Sequence, residues 1–117
     1  MKKLIILLSL AMSVSAMAAS DFSCGGTEPF WDLTIKGDTV TYNAVMSDDS
    51  IKTEQVTSRV NAAGTQEDYA VIVKTETTSS TILAGECSDG MSDTVYSHNI
   101  ILTTGDQVLV GCCNQIK

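Results

Sequence analysis

The four cysteines are the feature that most constrains how this chain of 117 residues can fold. They are Cys24, Cys87, Cys112 and Cys113, so two of them are neighbours in the sequence. Adjacent residues of a β-strand point to opposite faces of the sheet. A disulfide between neighbours would close a small, strained ring, whereas ordinary disulfides join Cα atoms about 4.4–6.8 Å apart. Each member of the adjacent pair is therefore expected to bond a distant partner.

Two connectivities satisfy this condition. We favour Cys87–Cys112 with Cys24–Cys113, because the first links the ends of the last three-strand unit and the second ties the N-terminal segment to the C-terminus. The swapped pairing is the main alternative, and a vicinal bridge is a remote one. A zinc site is disfavoured, since the cysteines lack the C-x2-C spacing or nearby histidine that structural zinc sites use.

The N-terminal residues have the pattern of a secretory signal peptide. Two lysines precede a mostly apolar run from Leu4 to Val14, and Ala16-Met17-Ala18 fits a small-x-small cleavage site. Cleavage is expected after Ala18, with Ala19 as the second choice. The apolar run is short for the ~20 residues that a membrane span needs. We therefore expect residues 1–18 to be a signal peptide.

Residues 19–117 are then expected to form one exported β domain, periplasmic or secreted, in a compartment where disulfides persist. No lipoprotein motif precedes Cys24, because Asp21-Phe22-Ser23 does not match one.

The charge of the exported part restricts its partners. The whole chain has seven basic and fourteen acidic side chains and a net charge of −7, and with Lys2 and Lys3 removed the net charge becomes −9. Such a domain would be repelled by nucleic acid and by anionic lipid, and it would attract a basic protein. We expect no nucleic-acid partner, no membrane span in the mature chain and no cofactor, and we leave the oligomeric state open.

Alternation of apolar and polar residues predicts an all-β fold. The expected strands are Phe30–Ile35, Thr39–Ala44, Ile51–Val60 (bent or broken near Thr57-Ser58), Tyr69–Thr75, Ser80–Cys87, Val95–Leu102 and Gln107–Cys112. Ser20–Pro29 is expected to be irregular, because Gly25-Gly26 and Pro29 interrupt regular elements. Seven or eight short strands predict a small antiparallel barrel or sandwich tied by two disulfides. We favour the barrel, since closure removes exposed edges.

Three blocks of the chain occur in a recognisable order. They are Gly26-Thr27-Glu28-Pro29-Phe30-Trp31, then Cys87-Ser88-Asp89-Gly90-Met91-Ser92, and finally Gly111-Cys112. They resemble the Gly-x-Glu-Pro-Phe-Trp, Cys-x-Asp-x-Met-Ser and Gly-Cys motifs of a family of small bacterial envelope proteins, many of them lipoproteins, whose molecular role is uncharacterised. Domains of this family occur alongside META-type domains and domains similar to the membrane-bound inhibitor of c-type lysozyme.

The resemblance implies a β-barrel distantly similar to lysozyme-inhibitor domains. It also implies the pairing of Cys87 with Cys112, because family members with only two matching cysteines tend to keep that pair. The chain departs from the family at Thr94 and Ser97, where Arg and Pro are frequent, and it has no lipoprotein motif. The first departure removes a positive charge that would matter to a partner.

Seven residues of these blocks are candidates for binding: Glu28, Trp31, Asp89, Met91, Ser92, Asp93 and Tyr96. Each has a structural interpretation as well. Trp31 is more typical of a core residue than of a ligand platform. Glu28 is expected to sit partly buried beside aromatic residues. Asp89 and Asp93 lack the spacing of a calcium loop and favour a turn.

No catalytic or metal-binding residue is assigned. His98 is expected to be a solvated strand residue, and no nucleophile motif accompanies it. The expected function is that of a non-enzymatic periplasmic or secreted binding module for a protein or an envelope component. A periplasmic lysozyme inhibitor is the first alternative, since c-type lysozymes are basic. A hydrolase that uses Glu28 is the second.

Overall fold

The computed structural model describes residues 20–27, 29–44, 51–90 and 93–116. These residues form nine β-strands and no helix. The strands are β1 (Asp21–Thr27), β2 (Phe30–Lys36), β3 (Thr39–Asn43), β4 (Ile51–Gln55), β5 (Ser58–Asn61), β6 (Ala70–Lys74), β7 (Thr78–Cys87), β8 (Tyr96–Thr104) and β9 (Gln107–Ile116). The expected all-β class is confirmed. The predicted signal peptide lies outside the described residues.

All nine strands belong to one antiparallel sheet with the order β4-β3-β2-β1-β9-β8-β7-β6-β5. The first and last strands are therefore neighbours at its centre, where Cys24 lies opposite Cys113. Successive strands pair on either side of this junction. The sheet consists of two meanders, β1–β4 and β5–β9, and the pairing of β1 with β9 joins them.

The strand count exceeds the expected seven or eight for two reasons. The prediction that Ser20–Pro29 is irregular is wrong for most of that segment, because β1 pairs there with both β2 and β9. Its glycines do not interrupt the strand but allow other groups to approach it closely. The long strand predicted at Ile51–Val60 is broken into β4 and β5 by Val56 and Thr57.

The break at Val56 and Thr57 is where the chain crosses from one edge of the sheet to the other. Val56 N donates to Asp38 O on the β3 side at 2.7 Å, and Thr57 N donates to Lys74 O of β6 at 2.8 Å. The Glu54 carboxylate also bridges the two edges, since it accepts from the hydroxyls of Thr75 at 2.6 Å and Thr77 at 2.8 Å. The sheet thereby curls into a half-barrel, although β4 and β5 do not pair in a ladder.

The concave face of the curled sheet holds the hydrophobic core. Alternate residues of both meanders point inward, as the period of two requires. The buried aliphatic and aromatic side chains are Phe22, Trp31, Leu33, Ile35, Val40, Val71, Val73, Ile82, Ile100, Leu102 and Leu109. Because these residues come from both meanders, neither meander has a complete core by itself.

The two disulfides confirm the favoured connectivity. Cys24 and Cys113 are bonded between directly opposed positions of β1 and β9, and both are part of the core cluster. Cys87 is bonded to Cys112, with Cα atoms 5.6 Å apart, and links β7 to β9 across the intervening β8. Since Cys112 and Cys113 are successive strand residues, the two bonds leave β9 from opposite faces.

We expect the two disulfides to differ in their contribution to stability. The Cys24–Cys113 bond spans a sequence separation of 89 and the Cys87–Cys112 bond one of 25. In the chain-entropy model these loops correspond to about 4.5 and about 3.5 kcal/mol. The paired substitution C24A/C113A should therefore lower the free energy of unfolding more than C87A/C112A in urea titrations. An equal or reversed order would contradict the role assigned to the β1–β9 junction.

The bridge across the two sheet edges predicts a pH dependence. The Thr75 hydroxyl that donates to Glu54 holds the pKa of that carboxyl below its ordinary value, with further contributions from Thr77 and Lys52. A carboxyl whose pKa is lower in the folded than in the unfolded state stabilises the fold above the unfolded pKa, and this contribution disappears as pH falls through the folded pKa.

Wild-type protein should therefore exceed E54Q in unfolding free energy at pH 7, by at most about 1 kcal/mol because the site is solvent-screened. The difference should shrink below about pH 4 and vanish once Glu54 is protonated in the folded state. Urea titrations between pH 3 and pH 7 measure it, and a difference independent of pH would show that the charge of Glu54 does not hold the edges together.

Candidate binding cleft

A cleft lies where the glycine-rich end of β1 meets β9 and the segment that follows β7. It consists of two adjoining depressions of about 220 and 240 Å³. Both are lined by Gly25, Gly26, Thr27, Asp89 and Cys112. Residues from all three sequence blocks, which are distant along the chain, therefore meet at the cleft, next to the Cys87–Cys112 disulfide.

Glycines on β1 and β9 form the floor of the cleft, and the indole of Trp31 lies directly beneath them. This close approach requires residues without a side chain. A Cβ on Gly26 would collide with Trp31 Nε1 and lie 2.8 Å from Val110 O. A Cβ on Gly111 would collide with Gly25 O and lie 3.0 Å from Trp31 Cζ2. Only glycine fits where backbones and an indole approach this closely. The tryptophan is buried, so the core interpretation of Trp31 is confirmed.

A β-bulge in β7 changes the direction of the strand just before it reaches the cleft. Ala84 lies opposite His98 and Cys87 opposite Tyr96, so β7 has one residue more than β8 in this interval. Gly85 lies within the bulge and has a φ of +153°, a conformation that favours glycine. Bulges bend the strand that contains them. Here the bend accompanies the bond from Cys87 to Cys112 of β9.

The turn after β7 presents an acidic side chain to the cleft. Gly90 has a φ of +78° and donates its backbone N–H to Ser88 Oγ at 3.2 Å. Ser88 thus stabilises the turn, as short hydroxyl side chains often do. Tyr96 Oη donates to Asp89 Oδ2 at a long 3.4 Å. The cleft therefore combines a carboxylate, a phenol and strand backbone, which can accept hydrogen bonds from a cationic group.

The structure places the seven candidate residues differently. Asp89 and Tyr96 line the cleft, and Asp93 is exposed on the segment between them. Trp31 lies below the cleft floor, out of reach of a ligand. Glu28, Met91 and Ser92 lie outside the described residues, so their roles stay predictions.

A buried polar cluster at the other face of β8 was missed from the sequence. His98, expected to be solvated, is only 5% exposed, so that expectation is wrong. Its Nε2 lies 3.0 Å from Asp68 O, and its Nδ1 lies 2.8 Å from Ser97 Oγ. Since a carbonyl oxygen only accepts, Nε2 carries a proton and donates it to Asp68 O. The imidazole also makes an edge contact with Phe22 at 5.0 Å between centroids.

Asp68 extends this cluster to an arginine. Its carboxylate accepts from Arg59 Nη2 at 2.9 Å, its backbone N–H donates to Asn61 Oδ1 at 2.9 Å, and it has a φ of +65°. Arg59 Nη2 also donates to Ser20 O at 3.0 Å. The cluster therefore fixes the start of β1 against β5 and β8. The sequence did contain a signal for the burial of His98. It alternates along β8 with the same period as the apolar Ile100 and Leu102 and therefore shares their inward face.

Neither the cleft nor the rest of the described chain contains a group of three or more His, Cys, Asp or Glu side chains arranged to hold a metal ion. All four cysteines are in disulfides. The described part of the chain also contains no helix with the length and apolar character that a membrane crossing requires.

Comparison with known proteins gave no match to a family model, to a curated protein or to a solved structure.

The glycine floor yields a prediction about stability. Gly111→Ala should lower the free energy of unfolding by about 2–3 kcal/mol, because the new methyl group collides with the Gly25 carbonyl and the Trp31 indole. The control is Val110→Thr, which changes the exposed neighbour on the same strand and should cost less than about 1 kcal/mol. Urea unfolding of the oxidised proteins measures both, and equal stabilities of the two variants would refute the close approach.

Proposed function

We propose that this protein is a non-enzymatic binding module for a positively charged protein, and that the cleft beside the Cys87–Cys112 disulfide is where the partner binds. One observation carries the proposal: the cleft presents Asp89 in a frame that the disulfide and the glycine floor hold in place. Rigid presentation reduces the ordering cost that binding otherwise incurs.

Charge supports a cationic partner. Four segments connect the strands of the second meander: residues 62–69, 75–77, 88–95 and 105–106. Every charged side chain in them is acidic. Asp68 is buried and paired with Arg59, and the others are Glu67, Glu76, Asp89, Asp93 and Asp106. Together with the net charge of −9 expected for residues 19–117, this distribution would accelerate encounter with a basic protein.

A non-enzymatic role is favoured by the chemistry of the nucleophiles in the described residues. The cysteines are oxidised, and the hydroxyl of Ser97, although bonded to His98, also accepts from Gln115 N at 3.3 Å. The imidazole is held by Asp68 O rather than by a carboxylate, unlike the acid-oriented base of a hydrolytic triad. A hydrolase using Glu28 stays a separate hypothesis, outside the described residues.

A periplasmic lysozyme inhibitor is the specific form of this function that the acidic cleft favours, because c-type lysozymes are basic. Inhibition of lysozyme activity by the oxidised protein tests that form directly.

Binding to a c-type lysozyme and to cytochrome c, two basic probes, tests the general function. Calorimetric titration at low salt should detect binding to at least one of them, and raising the ionic strength to physiological values should weaken it roughly 10-fold by screening. Asp89→Asn should weaken it about 3- to 10-fold. Asp38→Asn is the matched control, since it changes net charge equally in the β2–β3 turn.

Absence of binding to both probes at low salt would refute the proposed function. If Asp89→Asn and Asp38→Asn weaken binding equally, charge would still contribute to binding, but the cleft would not be the place where the partner binds.

A further inference from the structure

A row of exposed aliphatic side chains crosses the convex face of the second meander. The cross-strand register aligns Val60 of β5, Ile72 of β6, Thr81 of β7, Ile101 of β8 and Val110 of β9 as successive partners. The four aliphatic members are 61%, 39%, 48% and 69% exposed. Since strands are about 4.8 Å apart, the row is about 19 Å long. We call these five residues the outer row.

The outer row is a local feature rather than a general property of this convex face. The corresponding face of the first meander carries the aligned residues Ser23, Thr34, Thr41 and Thr53. An outward strand face in water normally has such polar side chains. Leu83 and Val108 are also exposed and lie two residues along the chain from Thr81 and Val110. Contiguous apolar patches of this kind mark interaction sites.

The outer row connects the candidate cleft with a second depression. At the β9 end, Val110 lines the 240 Å³ part of the cleft together with Asp89. At the β5 end, Val60, Ile72 and Thr81 line a depression of about 220 Å³ whose other lining residues include Ala62 and Ala70. One surface thus runs from an acidic cleft to an apolar depression.

The charges around the outer row indicate what covers it. Within the five strands of this meander the charged side chains are Arg59, Lys74 and Glu86, and Arg59 is paired with Asp68. The connecting segments contribute exposed or partly exposed acidic side chains at Glu67, Glu76, Asp89, Asp93 and Asp106. The exposed cation on the outer face of these strands is Lys74, two residues from Ile72. Acidic side chains therefore outnumber basic ones around the apolar row. Since interfaces have apolar centres and polar rims, the complementary partner has an apolar centre surrounded by Lys and Arg.

A second copy of this chain fits the same surface less well. Its own rim would also carry more acidic than basic side chains, so two outer rows would meet with mostly like charges, which disfavours association. Charge complementarity thus favours a basic protein over self-association.

We propose that the outer row is the second half of the binding surface, so that a basic partner places a cationic group in the cleft at Asp89 and an apolar side chain about 19 Å away in the depression at Val60 and Ile72. This proposal rests on the function proposed above. It adds that the partner is recognised by the spacing of two chemically different groups, not by charge alone.

Three synthetic peptides of equal charge test the spacing. The first has three lysines, a six-residue Ser/Thr spacer of about 20 Å when extended, and two leucines. The second replaces the leucines by serines, and the third moves the leucines next to the lysines. Titration of the ¹⁵N-labelled oxidised protein at low salt, followed by amide chemical shifts, gives both affinity and location.

The spaced-leucine peptide should bind about 5- to 10-fold more tightly than the other two. It should shift amides of β5 and β6 as well as those of Gly25–Thr27. Ile101→Thr and Val60→Thr in the protein should remove the advantage of this peptide without changing the affinity of the serine peptide. Ile51→Thr is the matched control, because it removes an exposed aliphatic side chain from β4, outside the outer row.

Equal affinities of the three peptides, or shifts confined to the cleft, would overturn the inference and leave the proposed function intact. No shift with any peptide would overturn both. Analytical ultracentrifugation at the same protein concentrations tests whether a second copy of the chain covers the outer row. Self-association that Ile101→Thr abolishes would show that it does, and this result also overturns the inference.

Discussion

The pairing of β1 with β9 is the interaction on which the rest of the structure depends. It joins the two meanders at the centre of the sheet, and the Cys24–Cys113 bond fixes it at directly opposed residues. Without this junction, the inward-facing side chains of β2 and β3 would lose those of β6 to β8 as packing partners. A domain of this size buries a modest share of its surface. A covalent link is therefore most effective at the centre of the sheet, where it joins the two halves of the core.

The junction also explains where the cleft lies. The glycine-rich end of β1 follows Cys24 directly, and Gly111 and Cys112 precede Cys113 on the facing strand. The same strand pairing that completes the core therefore brings the Trp31 indole under the glycines and the second disulfide beside them. Stability and the shape of the candidate site have one origin, so substitutions on the cleft floor will affect both.

Patterns along the chain predicted the all-β class and the inward face of β2, because both follow from the period of two. The adjacency of Cys112 and Cys113 left two connectivities, of which the favoured one is present. The patterns did not predict β1, since Gly25 and Gly26 signal an interruption unless the close approach of Trp31 and Gly111 is known. They also missed the burial of His98. A polar residue at an inward position is stable only with partners, and its partners Asp68 and Phe22 are distant in the sequence.

The cleft was predictable only in part. Asp89 and Tyr96 were among the candidates, whereas the outer row depends on cross-strand register among five strands, which no single stretch of sequence reveals. The two sulfur bonds on opposite faces of β9 have one more consequence. For Cys112 to lie opposite Cys24, β9 would have to slip by one residue against β1, which would turn Leu109 outward and Val110 inward. The same slip would move Cys113 to the place of Asn114, two positions beyond the one that is bonded to Cys87, so the alignment of β9 that buries Leu109 is also the one in which both disulfides form.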